Sequence, residues 1–456
     1  MKNVAWAGWL ALCASGTVVA QSSTLEQVQK DLEELKSKNE RLESEVEYLK
    51  EQTKFQRRDA AEESVAVEAL KSATGKFTWS GDFRYRNEQI KTAPNSTTDE
   101  HTRGRDRIRL RFGVTAKISD STVGRFQIGT SGGTAGDPRS TNQTLGEDWS
   151  RKSIGIDLAY VDWKALNGLN LQLGKMPQPW TRTASYMWDG DITPEGAALK
   201  YVRGGLFATG FYNWLNERHS GSATGLRSDT KLVGAQVGWR QPIGPMTLTV
   251  AGAVLDLTNV QDEQVSANNS NSALSSNCRS ANGVFFGNST NGNSVYTATY
   301  TNASGTCSVD RLQSDFTQVN LLAQLDFTAG RYPMAVFAEY TQNTKAESVS
   351  PSLGKLDTAY AVGVSLNKAS NPKTWEAGLV YQMSEADAIF GQFHDSDFGD
   401  GRTDTSGFAI KGAYAPAANW TVSGTLLINK LNRDTGSATT TDLDYKRLQL
   451  DMNYKF

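Results

Sequence analysis

Residues 446–456 read KRLQLDMNYKF and alternate strictly between polar and apolar side chains. The apolar members are Leu448, Leu450, Met452, Tyr454 and Phe456. A period of two is typical of a β-strand whose two faces meet unlike surroundings. The sequence therefore ends on a strand with one apolar and one polar face.

The same alternation recurs from residue 76 onward in about sixteen segments. In KFTWSGDFRYR, residues 76–86, Phe77, Trp79 and Phe83 share one face, and Arg84 and Arg86 lie on the other. The connections alternate between short turns and long polar loops, the first of which we predict at 87–102. An even strand number with this alternation of loop lengths is typical of outer-membrane barrels. We therefore predict an all-β transmembrane protein whose residues 76–456 form an antiparallel β-barrel of about 16 strands.

Composition restricts the alternatives. Hydrophobic residues make up only 38% of the 456 residues, and no apolar run of about 18 residues follows the N-terminus, which excludes a helical membrane protein. The formal charge is -2 and gives no general attraction to nucleic acid, so we predict no nucleic-acid partner. A soluble β-solenoid or sandwich would not explain the terminal Phe456 together with the loop alternation.

The first twenty residues resemble a secretory signal. Lys2 precedes an apolar stretch that ends in small residues at Val18 and Ala20, which predicts cleavage before Gln21. The alternative is that Cys13 is a lipoprotein cysteine. Such a site needs a small residue before the cysteine, and Leu12 is bulky. We assign residues 1–20 to a signal peptide.

Residues 24–56 carry the pattern of a coiled coil, and residues 57–75 form a predicted linker. The apolar heptad positions are Leu25, Val28, Leu32, Leu35, Leu42, Val46 and Leu49. The flanking g and e positions pair opposite charges, as in Asp31 with Lys36, and Asn39 occupies an a position. This pattern favours parallel, in-register self-association, although a single solvated helix would show the same apolar stripe.

Cys278 and Cys307 share one long polar loop at about 258–311. Two cysteines in one loop of an exported protein predict a disulfide. The three histidines of the chain, His101, His219 and His394, supply no further ligands nearby. We therefore predict no metal site and no cofactor.

The most unusual chemistry is HTRGRDRIRLR, residues 101–111. Its alternate positions are Arg103, Arg105, Arg107, Arg109 and Arg111. Charges that face lipid cost about 2–4 kcal/mol each at the midplane, so we expect this track to line the lumen. Arg84, Arg86 and Arg125 would flank the track, with Asp82 partly offsetting them.

Acidic residues are predicted on the far wall of the pore. Alternation in strands 10, 11 and 13 places Asp326, Glu339 and Glu376 inside, opposite the arginines. Such walls would set up a field across the pore. The alternative is a set of solvated lumen charges without selectivity.

The segment from Met176 to Glu195 is long and mixed. Its charged residues include Arg182, Asp189, Asp191 and Glu195. It would either fold inward as a constriction loop, with carboxylates facing the arginines, or pack as an external loop. The residues alone leave this choice open.

Four long stretches are RDRIRLRFGV at 105–114, DPRSTNQTLGEDWSRKSIGIDLAYVDW at 137–163, GKMPQPW at 174–180 and WDGDITPEGAALKY at 188–201. Together they resemble a family of Gram-negative outer-membrane proteins called putative porins. The resemblance implies passive diffusion of small hydrophilic solutes or ions through an outer-membrane channel, and analogy with porins suggests a homotrimer joined by a periplasmic coiled coil.

The final strand also resembles the signal that barrel-assembly machinery reads, with Tyr454 and Phe456 as its aromatic residues. From the arginine track we expect an anion preference. No nucleophile, base or acid dyad is organised by motif, so we predict no enzyme. The alternative function is an envelope tether or adhesin that uses the coiled coil and the long loops, with the barrel as membrane anchor.

Overall fold

The computed structural model of the protein describes residues 30, 32–51, 53–54, 75–93, 101–131, 136–217, 229–267, 291–302, 305–435 and 442–456. The chain divides into two compact units, Met1–Gly75 and Lys76–Phe456. The first contains a helix over residues 32–51, and the second contains the barrel.

Sixteen strands form the barrel, and each pairs in antiparallel register with its neighbours. In chain order β1–β16 are Phe77–Ala93, His101–Lys117, Thr122–Ser131, Ser153–Leu166, Leu169–Lys175, Glu195–Arg203, Leu206–Asn216, Thr230–Ile243, Met246–Thr258, Phe316–Ala329, Tyr332–Asn343, Thr358–Asn367, Trp375–Ser384, Thr405–Ala417, Trp420–Leu431 and Leu443–Lys455. The predicted sixteen-stranded antiparallel barrel is confirmed.

The barrel closes between its first and last strands. β1 pairs with β16 from Asp82 opposite Lys455 to Ala93 opposite Asp444. At the end of this seam the Gly81 amide donates to the Phe456 carbonyl at 2.8 Å, and the Phe456 amide donates to the Gly81 carbonyl at 3.1 Å. A Cβ at position 81 would lie 2.4 Å from the Phe456 ring. Glycine is therefore required where the terminal ring covers the first strand.

Alternation along the strands separates an apolar outer face from an interior face. On β16 Leu448, Leu450 and Met452 are exposed on the outside, whereas Arg447 and Gln449 are buried inside. A closed sheet leaves no unpaired strand edge, and an apolar outer face suits lipid. The period of two thus sets which side chains can reach the lumen.

One predicted connection is wrong in its bounds, and another contains strands of its own. β1 ends at Ala93 and β2 begins at His101, so residues 87–93 and 101–102 of the loop predicted at 87–102 belong to strands. Polar residues continue these strands because the inward carboxylate of Glu88 is held by arginines inside the barrel. The loop predicted at 258–311 carries strands Gln264–Ala267, Val295–Asn302 and Gly305–Leu312, which form a separate three-stranded sheet.

The N-terminal helix agrees with the helical heptad pattern, and its apolar residues, including Leu35 and Leu42, are exposed in the single chain. Within the described residues, no helix combines the length and apolar character that a membrane span requires. The signal peptide, Cys278 and the side chain of Cys307 lie outside the described residues. The coiled-coil pairing and the disulfide stay predictions.

Candidate functional site: an arginine belt and an infolded loop

The interior of the barrel has two unlike sides. On one side, loop residues 176–194 and 385–404 pack with inward apolar residues of the wall. This cluster includes Met176, Trp180, Met187, Trp188, Phe211, Leu255, Phe316, Phe390, Phe393 and Phe398. On the other side β1, β2 and β16 present arginines and carboxylates. The apolar side of the interior is therefore filled by packed side chains.

The constriction loop, residues 176–194, folds into the barrel and is held by three inward polar side chains. Gln236 of β8 accepts from the Thr181 amide at 2.7 Å and donates to the Thr181 carbonyl at 2.9 Å. Glu339 of β11 accepts from the hydroxyls of Thr183 and Ser185. Matched partners for these buried polar atoms fix the path of the loop across the barrel.

A third anchor, Gln382 of β13, accepts from the Tyr186 amide at 2.8 Å. Aromatic contacts add to the polar ones. Trp188 stacks on Phe393 with ring centroids 5.3 Å apart, and it meets the edge of Trp180 at the same distance. Geometries of this kind stabilise packing beyond the area that the rings bury. The constriction loop and loop 385–404 therefore form one packed body inside the barrel.

Asp189 of the constriction loop and His394 of loop 385–404 are both buried, in forms that favour a structural role. Burial, reinforced by the nearby Arg139 guanidinium, lowers the pKa of His394 to about 3, so its ring is neutral at ordinary pH. Burial, followed by the charges of Asp395 and Asp191, raises the pKa of Asp189 well above its usual range. The Asp189 carboxyl accepts from the amides of Asp191 and Ser396, both at 2.8 Å.

Seven inward guanidinium groups form what we call the arginine belt. Its members are Arg84, Arg86, Arg105, Arg107, Arg109, Arg111 and Arg447. Register explains their assembly, because Arg84 lies opposite Arg109 and Arg86 lies opposite Arg107 on adjacent strands. Like charges in direct cross-strand positions repel, so the belt needs carboxylates between its members.

Glu88 is the most contacted of these carboxylates, and its side chain is 0% exposed. It accepts from Arg105, lies 2.7 Å from Arg447 and lies 3.5 Å and 3.7 Å from Arg86 and Arg107. Asp451 takes both the Nε and Nη2 groups of Arg86, at 2.6 and 2.8 Å. These contacts fix the long-loop half of the belt.

Asp82 organises the half of the belt nearer the short turns. Its two oxygens accept from the Nε groups of Arg109 and Arg111 at 2.9 and 2.8 Å. Asp191 of the constriction loop approaches the same two arginines less closely, at 3.8 and 3.5 Å. The loop thus reaches the belt through longer contacts than those within the wall.

Two cavities lie on either side of this approach. One of about 250 Å³ lies toward the long loops and is lined by Arg105, Arg107, Asn142 and Arg447. The other, of about 320 Å³, lies toward the short turns and is lined by Asp82, Arg111, Arg125 and Asp191, among others. The meeting of Asp191 with the belt therefore lies between the two cavities.

The residues predicted for the basic track fall in three places. Arg84, Arg86 and four members of the β2 track, Arg105 to Arg111, belong to the belt. Arg103 is exposed at the long-loop end of β2. Arg125 lines the larger cavity, where its Nη2 group donates to Gln127 at 3.4 Å.

The three residues predicted for an acidic wall each have local partners. Glu339 binds the constriction loop, Glu376 pairs with Lys411 at 2.7 Å, and Asp326 accepts from Gln324 at 2.9 Å. The carboxylates that contact the belt come from the same side of the barrel and from loops. Among the described residues, no contact joins Asp326, Glu339 or Glu376 to the belt, and an acidic wall opposite the arginines stays a prediction.

The four charged residues predicted for the constriction loop also separate. Asp191 meets the belt, and Asp189 is buried between loops. Arg182 donates to the Trp188 carbonyl at 2.8 Å within the loop. Glu195 pairs with Lys175 at 3.0 Å, on the same face of β6 as the outward Leu199, and so does not face the arginines.

Sequence reasoning missed Glu88, Arg447 and Asp451 as belt residues, as well as Asn142 and Asp397 from loops. Alternation could have found the first three, because they occupy the inward face of strands already recognised. Asp397 lies 2.8 Å from Arg86 and 2.7 Å from Arg447. No spacing in its loop indicates that position, since the contact depends on how the loop enters the barrel.

This fold and this constriction define an outer-membrane channel. A family model described as "Putative porin" matches residues 34–456. The chain belongs to this family of putative porins, and it is an outer-membrane porin by family and fold. No curated protein matches the chain significantly.

Solved structures with a similar fold include outer-membrane proteins of several bacteria. The high-pH structure of Pseudomonas putida OprB is 12% identical, with a TM-score of 0.50, and the alignment covers 85% of this chain and 96% of that one. Salmonella typhi OmpF in complex with daunomycin is 12% identical, with a TM-score of 0.45 and coverage of 83% and 97%. At this identity the likeness of OprB supports the fold alone.

Proposed function

We propose that the chain conducts small hydrophilic solutes and ions by passive diffusion, along a path between the arginine belt and the constriction loop. The observation that carries this proposal is the approach of Asp191 to Arg109 and Arg111, between two cavities. Charged groups on both sides of a narrow path make the path more favourable for water and polar solutes than for apolar solutes.

Solute uptake by liposomes tests the proposal. Liposomes that contain the purified protein should swell in solutions of small sugars and amino acids, and those that contain heat-denatured protein should not. Absence of swelling, together with absence of conductance in planar bilayers, would refute the channel. The barrel would then serve only as a membrane anchor.

We further propose a modest anion preference. Among the described residues, the seven guanidinium groups of the belt have five carboxylates within 4.0 Å, namely Asp82, Glu88, Asp191, Asp397 and Asp451. The local surplus is therefore two positive charges. In about 0.1 M salt the Debye length is about 10 Å, so ions in a narrow path should sense this surplus.

Under a tenfold KCl gradient, the reversal potential should have the anion-selective sign. Replacing Arg105, Arg107 and Arg109 together with Gln should reduce this potential while conductance remains, and the potential should fade in about 1 M salt because of screening. A cation-selective wild type, or a triple variant with unchanged selectivity, would contradict the expected role of the belt.

We also propose that the helix within residues 24–56 joins three subunits in the periplasm. Support comes from the matched heptad charges and from the apolar residues that the helix exposes in the single chain. Native mass measurement in mild detergent should give a trimer, and deletion of residues 25–53 should weaken it. A monomeric wild type would disprove the arrangement.

For assembly, we propose that the barrel-assembly machinery recognises the strand that ends in Tyr454 and Phe456. The outward position of the Tyr454 ring, which stacks on Trp420 at 5.4 Å, supports a signal readable from the lipid side. Replacing Phe456 with Ser should lower the amount of folded barrel in the outer membrane. Unchanged assembly would argue against the role.

A further inference from the structure

We infer that the belt holds a binding site for small organic carboxylates, built around Arg84, Arg107 and Asn142 on the long-loop side of the constriction. The inference rests on the proposed function, because it names a class of solute for the same path. It starts from the unequal way in which the seven arginines are partnered.

The surplus charge of the belt is concentrated at Arg84 and Arg107. Within the described residues, Arg84 has no carboxylate within 4.0 Å, and the nearest one to Arg107 is Glu88, at 3.7 Å. Glu88 is shared with Arg105 and Arg447, which approach it more closely. Arg84 and Arg107 are therefore the two members of the belt whose charge is least compensated.

A neutral residue stands between these two arginines. The Nη2 group of Arg84 donates to the Asn142 side-chain oxygen at 2.5 Å, and that of Arg107 donates to the Asn142 carbonyl at 3.2 Å. Asn142 is 7% exposed and belongs to the loop between β3 and β4. A single polar residue without charge thus occupies the position where the rest of the belt has carboxylates.

The guanidinium edges show what is missing at this position. In Arg86 the edge formed by Nε and Nη2 grips both oxygens of Asp451, at 2.6 and 2.8 Å. In Arg84 and Arg107 the same edge engages one oxygen of Asn142 through Nη2. Both Nε atoms are buried and have no partner among the described residues. A carboxylate has two oxygens in the geometry that such an edge prefers.

The adjoining cavity supplies room and access. It measures about 250 Å³ and is lined by Arg105, Arg107, Ser140, Asn142, Gln143 and Arg447, with two carboxylates. Those carboxylates are already paired, Asp137 with Arg139 at 3.0 Å and Asp397 with Arg86 and Arg447. The cavity therefore offers cationic groups without a free carboxylate to attract a cation.

Geometry favours a carboxylate over chloride at this site, and the partners that the belt already uses favour it over phosphate. A planar carboxylate can place one oxygen on Nε and the other on Nη2 of one guanidinium, whereas chloride must share one centre between the two donors. The belt already contacts five wall and loop carboxylates, and Arg86 holds Asp451 through this same edge. A solute carboxylate that displaced the side chain of Asn142 would repeat an arrangement that the protein uses elsewhere.

Block of single-channel chloride current by succinate tests the site, with phosphate as the comparison anion. Added succinate should reduce the open-channel current of the full-length protein in a saturable way, and phosphate should do so less. R107Q should raise the half-blocking concentration by about tenfold, which corresponds to the loss of one charge-assisted contact. R125Q, which removes an arginine of the other cavity, should leave the block unchanged.

A second variant distinguishes loss of the site from misfolding of the protein. N142D supplies a tethered carboxylate at the site while both arginines are kept, so it should fold and conduct but lose the block by succinate. Loss of conductance in the wild type would overturn the proposed function. A conducting wild type that succinate does not block, that phosphate blocks more strongly, or whose block persists in N142D would overturn the carboxylate site alone.

Discussion

Replacing Trp188 with Ala should enlarge and destabilise the conducting path while the barrel itself remains folded. Trp188 is 5% exposed and joins the constriction loop to Phe393 of loop 385–404. Truncation of a buried Trp costs about 3–5 kcal/mol in a packed core. We expect that loss to fall on the loop packing, so that Asp191 leaves the belt part of the time. Open-channel conductance should rise, and the current should become noisier.

Trp149→Ala is the matched control, because the same substitution is made at a side chain that is 99% exposed. Its conductance and noise should equal those of the wild type. Electrophoresis with and without heating reports whether both variants hold a folded barrel. If W188A folds and its single-channel records match those of W149A, the buried loop packing does not limit the channel.

Replacing Glu88 with Gln should cost the most stability of any single charge change in the belt. Its carboxylate is 0% exposed and contacts four arginines. Removing one partner from a buried ionic network typically costs about 3–5 kcal/mol, because the remaining charges stay buried without compensation. The surplus of positive charge in the belt would also rise from two to three. Unfolding in urea with detergent micelles should show the loss of stability. The reversal potential should shift further in the anion-selective direction.

Glu376→Gln provides the control for the same chemical change. Glu376 pairs with Lys411 at 2.7 Å, but the two side chains are 23% and 45% exposed, so solvent screens the pair. Loss of such a pair should change the free energy of unfolding by less than about 1 kcal/mol. Equal stability losses in E88Q and E376Q would mean that Glu88 is not the centre of the ionic network.

The barrel could be predicted from the sequence because its determinants are local. Residues 105–111 carry a strict period of two, and a strand in a closed sheet between lipid and lumen must obey that period. The inward direction of Arg107 and Arg109 follows from the same rule. Alternation also assigns Glu88 and Arg447 to the interior once the strand ends are known.

The constriction could be predicted only in part, because it depends on contacts between distant loops. Asp189 and Asp191 are two residues apart, yet one is buried against loop 385–404 and the other meets the belt. Nothing in their local sequence separates these roles. The apolar packing of Trp188 against Phe393 decides which carboxylate faces the arginines, and no period in either loop reveals that packing.

The packed side of the barrel also affects how this channel can change during evolution. Substitutions on the inward faces of β7, β10 or β11 would disturb loop packing and so alter stability, because those faces hold residues such as Phe211, Phe316 and Glu339. Substitutions at Arg84 and Arg107, on the inward faces of β1 and β2, would alter charge along the path at a smaller cost than changes at Glu88, because these two guanidinium groups are the least compensated of the belt. Descendants of this chain could therefore acquire new solute preferences through changes at one seam of the barrel, while the rest of the wall is held constant by selection for folding.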